Sequence, residues 1–257
     1  LTGAYGYPSP TLCGSVERDL VLIDRVIGAK IALSDHRSSE ITYEELLRLA
    51  TAVRRGGMLG GKAGLLTLHM GDGREGLSKL FRAAKESEVP LNTFLPTHVS
   101  RNGNLLEEAV RWIKAGGQAD FTAGEPAPGG TARQMVQALS EGADVCRMTL
   151  SSDAFGSQPR FDAQGNCIGL TYGTSHVLHG ELLNLVRSEG VPLETALRFI
   201  TANPARVMHL SGKKGCIAEG ADADLVLLGQ DLGIQAVFAR GRQLVQDGQA
   251  LVKGRFE

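Results

Sequence analysis

The sequence has little of what marks several protein classes. None of its 257 residues lies in an apolar run approaching the roughly 18 uninterrupted positions of a helical membrane span, which argues against a membrane protein. Its four cysteines, Cys13, Cys146, Cys167 and Cys216, are far apart and form no C-x-x-C pair. They read as small buried or half-buried side chains in a reducing compartment. The opening LTGAYGYPSP has no initiator Met, and neither the charged n-region nor the apolar h-region of a signal peptide. Neither charge sign dominates: 27 Lys plus Arg against 28 Asp plus Glu leave a formal net charge of -1. No basic stripe is dense enough for a nucleic-acid footprint. Internal repeats and low-complexity tracts are absent. No G-x-G-x-x-G loop follows the first strand-like run, so the signature of a dinucleotide-binding, doubly wound sheet is missing.

What is present is an ordinary globular composition, 42% hydrophobic and 21% charged, long enough for a large domain with a smaller one attached. Apolar runs alternate with amphipathic stretches. KIALS (30–34) precedes a helical pattern over 42–54, and GLLTLHM (64–70) precedes GREGLSKLFRAAKESE (73–88). LNTFLPTH (91–98) precedes NLLEEAVRWIKAGG, whose closing glycines are a C-cap signal. ADFTA (119–123) precedes TARQMVQALSEG, and CRMTLSSD (146–153) precedes a longer excursion and then HVLHGELLNLVRSEG (176–190). Parallel strands need helical crossovers, so this series predicts an α/β protein with a parallel sheet. Polar and ionisable residues recur near the C-terminal ends of the strands. In a barrel those ends converge on one axis, which favours a (β/α)8 barrel over an open sheet.

PLETALRFITANPARVMHL reads as a helical pair closing the α/β part. The texture then changes to short β-rich runs, GCIAEGADADLVLLG, IQAVFARGRQLVQDG and QALVKGRF, which read as a small all-β domain. The expected organisation is therefore a barrel over 1–212 and a β domain over 213–257.

Six histidines are present. His69 ends one strand, His98 ends the next, and Asp153 closes a later one. Two neutral imidazoles and a carboxylate at one mouth make a zinc set. A metal there lowers the pKa of bound water and polarises a carbonyl, while a neighbouring carboxylate accepts and returns the proton. Taken singly, a strand-end histidine is more often a hydrogen-bonded structural residue. Lys30 carries little weight alone, because lysines beside strands are mostly solvated. His176 and His179, spaced i, i+3, read as surface or packing residues. So do His209 and His36, although His36 could support the site by hydrogen bonding. Arg37 and Arg101 lie just beyond strand ends, where two guanidinium groups suit a small molecule with two free carboxylates. The plain alternative for each is a solvated loop arginine. Gly71, Gly156 and the SRNGN segment suggest tight turns around a pocket. DFTAGEPAPGGT (120–131), rich in Gly and Pro, reads as a loop at the mouth.

At KIALSDHR, LLTLHMGD, LPTHVSRN and TLSSDAFGSQP the chain closely resembles the bacterial isoaspartyl dipeptidases of the amidohydrolase superfamily. The likeness also takes in the opening LTGAYGYPSPTLCGSVERDLVLIDRVIG and the final VKGRFE. The segment over 215–228, GxxAEGADADLVLL, is less specific, since many amidohydrolases resemble it. The resemblance implies an incomplete (β/α)8 TIM barrel of the amidohydrolase type plus the C-terminal part of a small β-sandwich domain. It implies two zinc ions bridged by a carboxylated Lys30, with His69 and His98 on the more exposed metal and Asp153 on the other. Asp153 would act as general base toward a bridging hydroxide and return the proton to the leaving amine. Tyr5 would stabilise the oxyanion, and Arg37, Arg101 and Ser157 would hold substrate carboxylates. The family cleaves dipeptides joined through the β-carboxyl of an N-terminal aspartate. It is a cytoplasmic homo-oligomer, an octamer, with no nucleic-acid or membrane partner.

The chain also departs from the family. Members bind the more buried zinc with a His-x-His pair at the end of the first barrel strand, and no such pair occurs here. By the resemblance, Leu1 falls near the end of the third barrel strand, and this chain alone is expected to be inactive or poorly soluble. Two competing readings are another binuclear amidohydrolase (a dihydroorotase, hydantoinase or N-acyl-amino-acid deacylase) and a truncated non-catalytic homologue. The joint presence of Tyr5, Arg37, Arg101 and Ser157 weighs against the first, and retention of Asp153 against the second.

Overall fold

The computed structural model describes residues 1–38, 40–125, 129–162, 164 and 166–253, with backbone alone at 157–161, 167 and 171. The chain divides into two compact units, Leu1–His209 and Leu210–Glu257. The first is built on a six-stranded sheet in chain order: β1 (Thr2–Gly3), β2 (Gly28–Leu33), β3 (Leu65–Met70), β4 (Phe94–Thr97), β5 (Ala119–Thr122) and β6 (Met148–Ser151). Every pairing is parallel. A helix lies in each crossover: α1 (Val16–Leu22), α2 (Tyr43–Gly60), α3 (Ser78–Glu86), α4 (Gly103–Lys114) and α5 (Thr131–Ser140). Among the described residues β1 and β6 are the two sheet edges. This is the parallel α/β architecture that the alternating pattern predicts.

Side chains alternate across each strand, so the sheet has two chemically distinct faces. One is apolar: Ile31 and Leu33, Leu66 and Leu68, Phe94, Phe121 and Met148 are buried in one core with Leu46, Leu80, Leu105, Trp112 and Met135 from the helices. Burial of each large side chain there contributes about 2–3 kcal/mol relative to exposure. The other face carries Lys30, Thr67, His69, Thr97, Asp120, Thr122, Thr149 and Ser151. Register aligns them: Lys30 pairs with Thr67, while Ala32, His69, Thr97, Asp120 and Thr149 follow one another across five strands. The helices are thus anchored on one side, and the chemistry is gathered on the other.

Local signals set the helix ends. The Thr42 side chain accepts from the Glu45 amide while Glu45 reaches back to the Thr42 amide, a capping box that starts α2. The expected end near Arg54 is overrun as far as Gly60. Gly56 and Gly57, poor helix formers, are kept because α2 packs tightly: an added Cβ at Gly57 would lie 2.4 Å from Gly64 Cα. Helix α3 starts at Ser78, later than the expected 73, because the preceding turn is spent on tertiary bonds. The Gly76 amide donates to Ser34 Oγ and the Leu77 amide to Glu108 Oε2.

The excursion after β6 contains an antiparallel hairpin, β7 (Ser157–Phe161) and β8 (Cys167–Tyr172), that the sequence pattern does not announce. Helix α6 (His176–Leu183) follows and runs into a π-helical turn over Asn184–Ser188. The expected closing pair is α7 (Leu193–Ile200) and α8 (Ala202–Val207). The buried Asn203 amide fastens α8 beneath β6 by donating to the carbonyls of Val145 and Met148. The second unit is a four-stranded antiparallel sheet of β9 (Leu225–Leu228), β10 (Ile234–Ala239), β11 (Arg242–Gln246) and β12 (Gln249–Ala250), in the order β12-β11-β10-β9. Among the described residues no helix is long and apolar enough to cross a membrane.

Candidate active site

The candidate side chains emerge where strands end and the chain must turn sharply. His98, just past β4, has φ 65°, and Asp153, just past β6, has φ 45°. Both are in the left-handed region, which costs a non-glycine residue of order 1–3 kcal/mol and is a common property of functional sites. Two glycines make the turns possible. A Cβ on Gly71 would come within 2.4 Å of Asp35 Cα, and one on Gly156 within 3.0 Å of Asp153 Oδ1. Both segments can close on their neighbours only without a side chain.

His69 and His98, on adjacent strands, meet directly: His69 Nδ1 lies 3.1 Å from His98 Nε2, and both rings are buried. The remaining nitrogen of His98, Nδ1, is held 2.9 Å from Thr122 Oγ1 and 3.5 Å from Glu125 Oε1. Burial, followed by the charges at His98, Lys30, Arg101 and Arg37, pulls the His69 pKa down to about 3. His69 is therefore neutral, the form that offers a lone pair.

Tyr5 sits at the centre of the remaining groups. Its ring stands edge-on to His69 with centroids 5.5 Å apart, Lys30 Nζ lies 5.0 Å from its centroid, and Arg37 Cζ lies 4.7 Å from it. The Tyr5 carbonyl accepts from the Ala32 amide, which ties the segment to β2. On its far flank Asp19 of α1 accepts from the Thr2 hydroxyl and from the amides of Leu12 and Cys13. Burial raises the Asp19 pKa, but these bonds outweigh it and the net shift is downward.

Both candidate substrate arginines are braced. Arg37 donates Nε and Nη2 to the two oxygens of buried Asp35, at 2.9 and 2.6 Å. That pairing holds the Asp35 carboxyl at about 2. Arg101 donates Nε to Glu125 Oε1 and Nη1 to the Met70 carbonyl, both at 2.8 Å. Among the described residues the Asp153 carboxylate has no hydrogen-bond or ion-pair partner. It lines, with His69, Thr97, Asp120, Thr149 and Ser151, a cavity of about 410 Å³ against the polar face of the sheet. Ser157 begins β7, and its side chain lies outside the described residues. His176 is exposed and His36 is a solvent-facing neighbour of Asp35.

The amidohydrolase family profile matches residues 129–244. A β-aspartyl dipeptidase from Fervidobacterium islandicum AW-1, crystallised with a β-Asp-Leu dipeptide, is 40% identical, with a TM-score of 0.90 over 99% of this chain and 66% of that one. The chain has the amidohydrolase-type fold and is a close structural homologue of that dipeptidase. A second structure of β-aspartyl dipeptidase from that bacterium is 37% identical, with a TM-score of 0.86 over 99% of this chain and 65% of that one. An N-acetylglucosamine-6-phosphate deacetylase from Caenorhabditis elegans is 35% identical over 66 residues, 25% of this chain and 16% of its own. The chain thus spans just under two thirds of the length of the two dipeptidases.

The amidohydrolase fold implies a divalent metal. Among the described residues no three His, Cys, Asp or Glu side chains converge as a ready ligand group. The pair that does converge has the right chemistry: two imidazole nitrogens 3.1 Å apart, one ring neutral, the other oriented from behind by a hydroxyl and a carboxylate. The donor set fits a metal at that point.

Asp120, Thr122 and Glu125 are functional neighbours that residue patterns did not single out. Asp120 is fully buried, which raises its pKa, and it accepts from the hydroxyls of Ser151, Thr149 and Thr97. The one available signal was an acid flanked by Gly and Pro directly after a strand, Glu125.

Proposed function

We propose that this protein hydrolyses the isopeptide bond of dipeptides with an N-terminal β-linked aspartate. The observation that carries the reading is the Tyr5 ring, edge-on to His69 of the His69–His98 pair and flanked by Lys30 and Arg37, in a chain so similar to a β-aspartyl dipeptidase. Lys30, as a carbamate, would join His69, His98 and Asp153 in holding two zinc ions. Bound there, the metal supplies Lewis-acid polarisation and a more acidic water. Asp153, which has no hydrogen-bond or ion-pair partner among the described residues, takes a proton from the attacking water and returns it to the leaving amine. The Tyr5 hydroxyl donates to the oxygen on which negative charge develops. Arg37, Arg101 and Ser157 bind the substrate carboxylates, the arginines with geometry already set by their acidic braces. The same reading carries a homo-oligomeric, octameric state and a cytoplasmic location.

The test is hydrolysis of β-Asp-Leu, with α-Asp-Leu as control, by the protein supplied with zinc and bicarbonate and co-expressed with a segment bearing the His-x-His pair that these 257 residues lack. Cleavage of the β-linked peptide alone, abolished in Asp153→Asn, is the expected result. Equal cleavage of both peptides, or turnover unaffected by the substitution, would overturn it.

A further inference from the structure

The Glu125 carboxylate is buried, only 6% exposed, yet it belongs to a Gly- and Pro-rich loop rather than to a strand or helix. It touches two kinds of machinery at once. One oxygen accepts from Arg101 Nε at 2.8 Å and lies 3.5 Å from His98 Nδ1, while the other is 3.5 Å from Ser100 Oγ. Arg101 is also fixed through Nη1 on the Met70 carbonyl. Two of its three nitrogens are thereby committed, and among the described residues Nη2 has no partner. A guanidinium held at two points cannot wander, so the ordering that anion binding requires is already done before a ligand arrives.

We propose that Glu125 is a positioning residue for substrate recognition: it sets Arg101 so that the free Nη2 edge meets a substrate carboxylate. The mirror-image arrangement at Arg37 and Asp35 supports it, because two arginines at the ends of different strands are each braced by a buried acid. A buried carboxylate is costly unless paired, and this one is spent on orienting a cation that stays 24% exposed. The proposal rests on the dipeptidase reading for the identity of the substrate, although the brace itself does not.

Two measurements on the protein test it. Phenylglyoxal labelling, mapped by peptide mass, should modify Arg101 several-fold faster in Glu125→Gln than in the unsubstituted protein, with Arg37 unchanged. Kinetics on β-Asp-Leu at saturating zinc should show KM raised about tenfold in Glu125→Gln with kcat within about threefold. That penalty should vanish on one of the two singly amidated dipeptides, the same one on which Arg101→Lys is also silent. Glu125→Asp, which keeps the charge, should recover part of the loss. Unchanged Arg101 labelling, or a penalty equal on both amides, would overturn the proposal. Unsubstituted protein inert toward β-Asp-Leu even with a His-x-His segment co-expressed would sink the dipeptidase reading instead, and the labelling result would still decide the brace.

Discussion

Nδ1 of His69 lies 3.1 Å from Nε2 of His98, across two adjacent strands of one parallel sheet. As a hydrogen bond this contact needs one proton between the rings, with the donor set by the tautomers. Anything that drew both nitrogens would have to replace that proton, as a cation does. His69→Ala and His98→Asn should each sharply lower the zinc retained after dialysis, measured by elemental analysis. Full retention in either variant would place the metal elsewhere.

Thr122 tests whether orientation from behind matters. Its hydroxyl is 2.9 Å from His98 Nδ1, and Thr122→Val keeps the shape while removing the oxygen. Metal affinity should fall about 10- to 100-fold with the fold intact. Competition with a chromophoric chelator gives the number, and an unchanged affinity would assign the hydroxyl to packing alone.

The Asp35–Arg37 pair sets an acid limb on stability. Arg37 holds the Asp35 carboxyl at about 2, below the ordinary 3.8. A depressed folded-state value adds stability that is complete above about pH 4 and is lost as pH falls toward 2. With Arg37 44% exposed, screening trims the effect to about 1–2 kcal/mol. Asp35→Asn should be less stable by that amount in urea unfolding at pH 7, and the gap should close near pH 2. A gap independent of pH would refute the pairing as its source.

Gly71 leaves no room for a methyl group, since its Cβ would sit 2.4 Å from the backbone of Asp35. Gly71→Ala should cost about 1–3 kcal/mol of stability. It should also raise KM more than it lowers melting temperature would suggest, because Asp35 carries Arg37. Gly61→Ala makes a poor control, with its φ of 63°, whereas Gly103, open and of ordinary φ, makes a good one.

Asp120 is the most buried acid of the cavity and the acceptor for three hydroxyls. Asp120→Ala should strand Thr97, Thr149 and Ser151 and cost about 3 kcal/mol or more. Thermal melting of the variant checks this, and a loss below about 1 kcal/mol would show that the hydroxyls find other partners.

The strands, the helices and the ends of strands where chemistry collects were readable because they rest on local periodicity and on residue type. KIALS, LLTLH and TFLPT are short apolar runs with polar residues at or near their ends, and the structure puts Lys30, Thr67, His69 and Thr97 on one face. The braces were not readable. Glu125 meets Arg101 24 residues away, and Glu181 reaches the Gly124 and Ala132 amides from 57 and 49 residues away. Nothing local distinguishes such an acid from a solvated one. The hairpin of β7 and β8 was not readable either, and among the described residues its strands pair only with each other. The helix extension through Gly56 and Gly57 reverses a propensity rule because tight packing needs the missing side chains.

The left-handed backbone at His98 and Asp153 governs what a mutational scan can reveal. Histidine, aspartate and asparagine tolerate that conformation better than alanine does. An alanine scan at these positions therefore mixes lost chemistry with a backbone forced to relax, and the mixture would exaggerate their apparent contribution. Asparagine removes the imidazole or the charge while leaving the turn content, so it is the substitution whose phenotype can be read as chemistry alone.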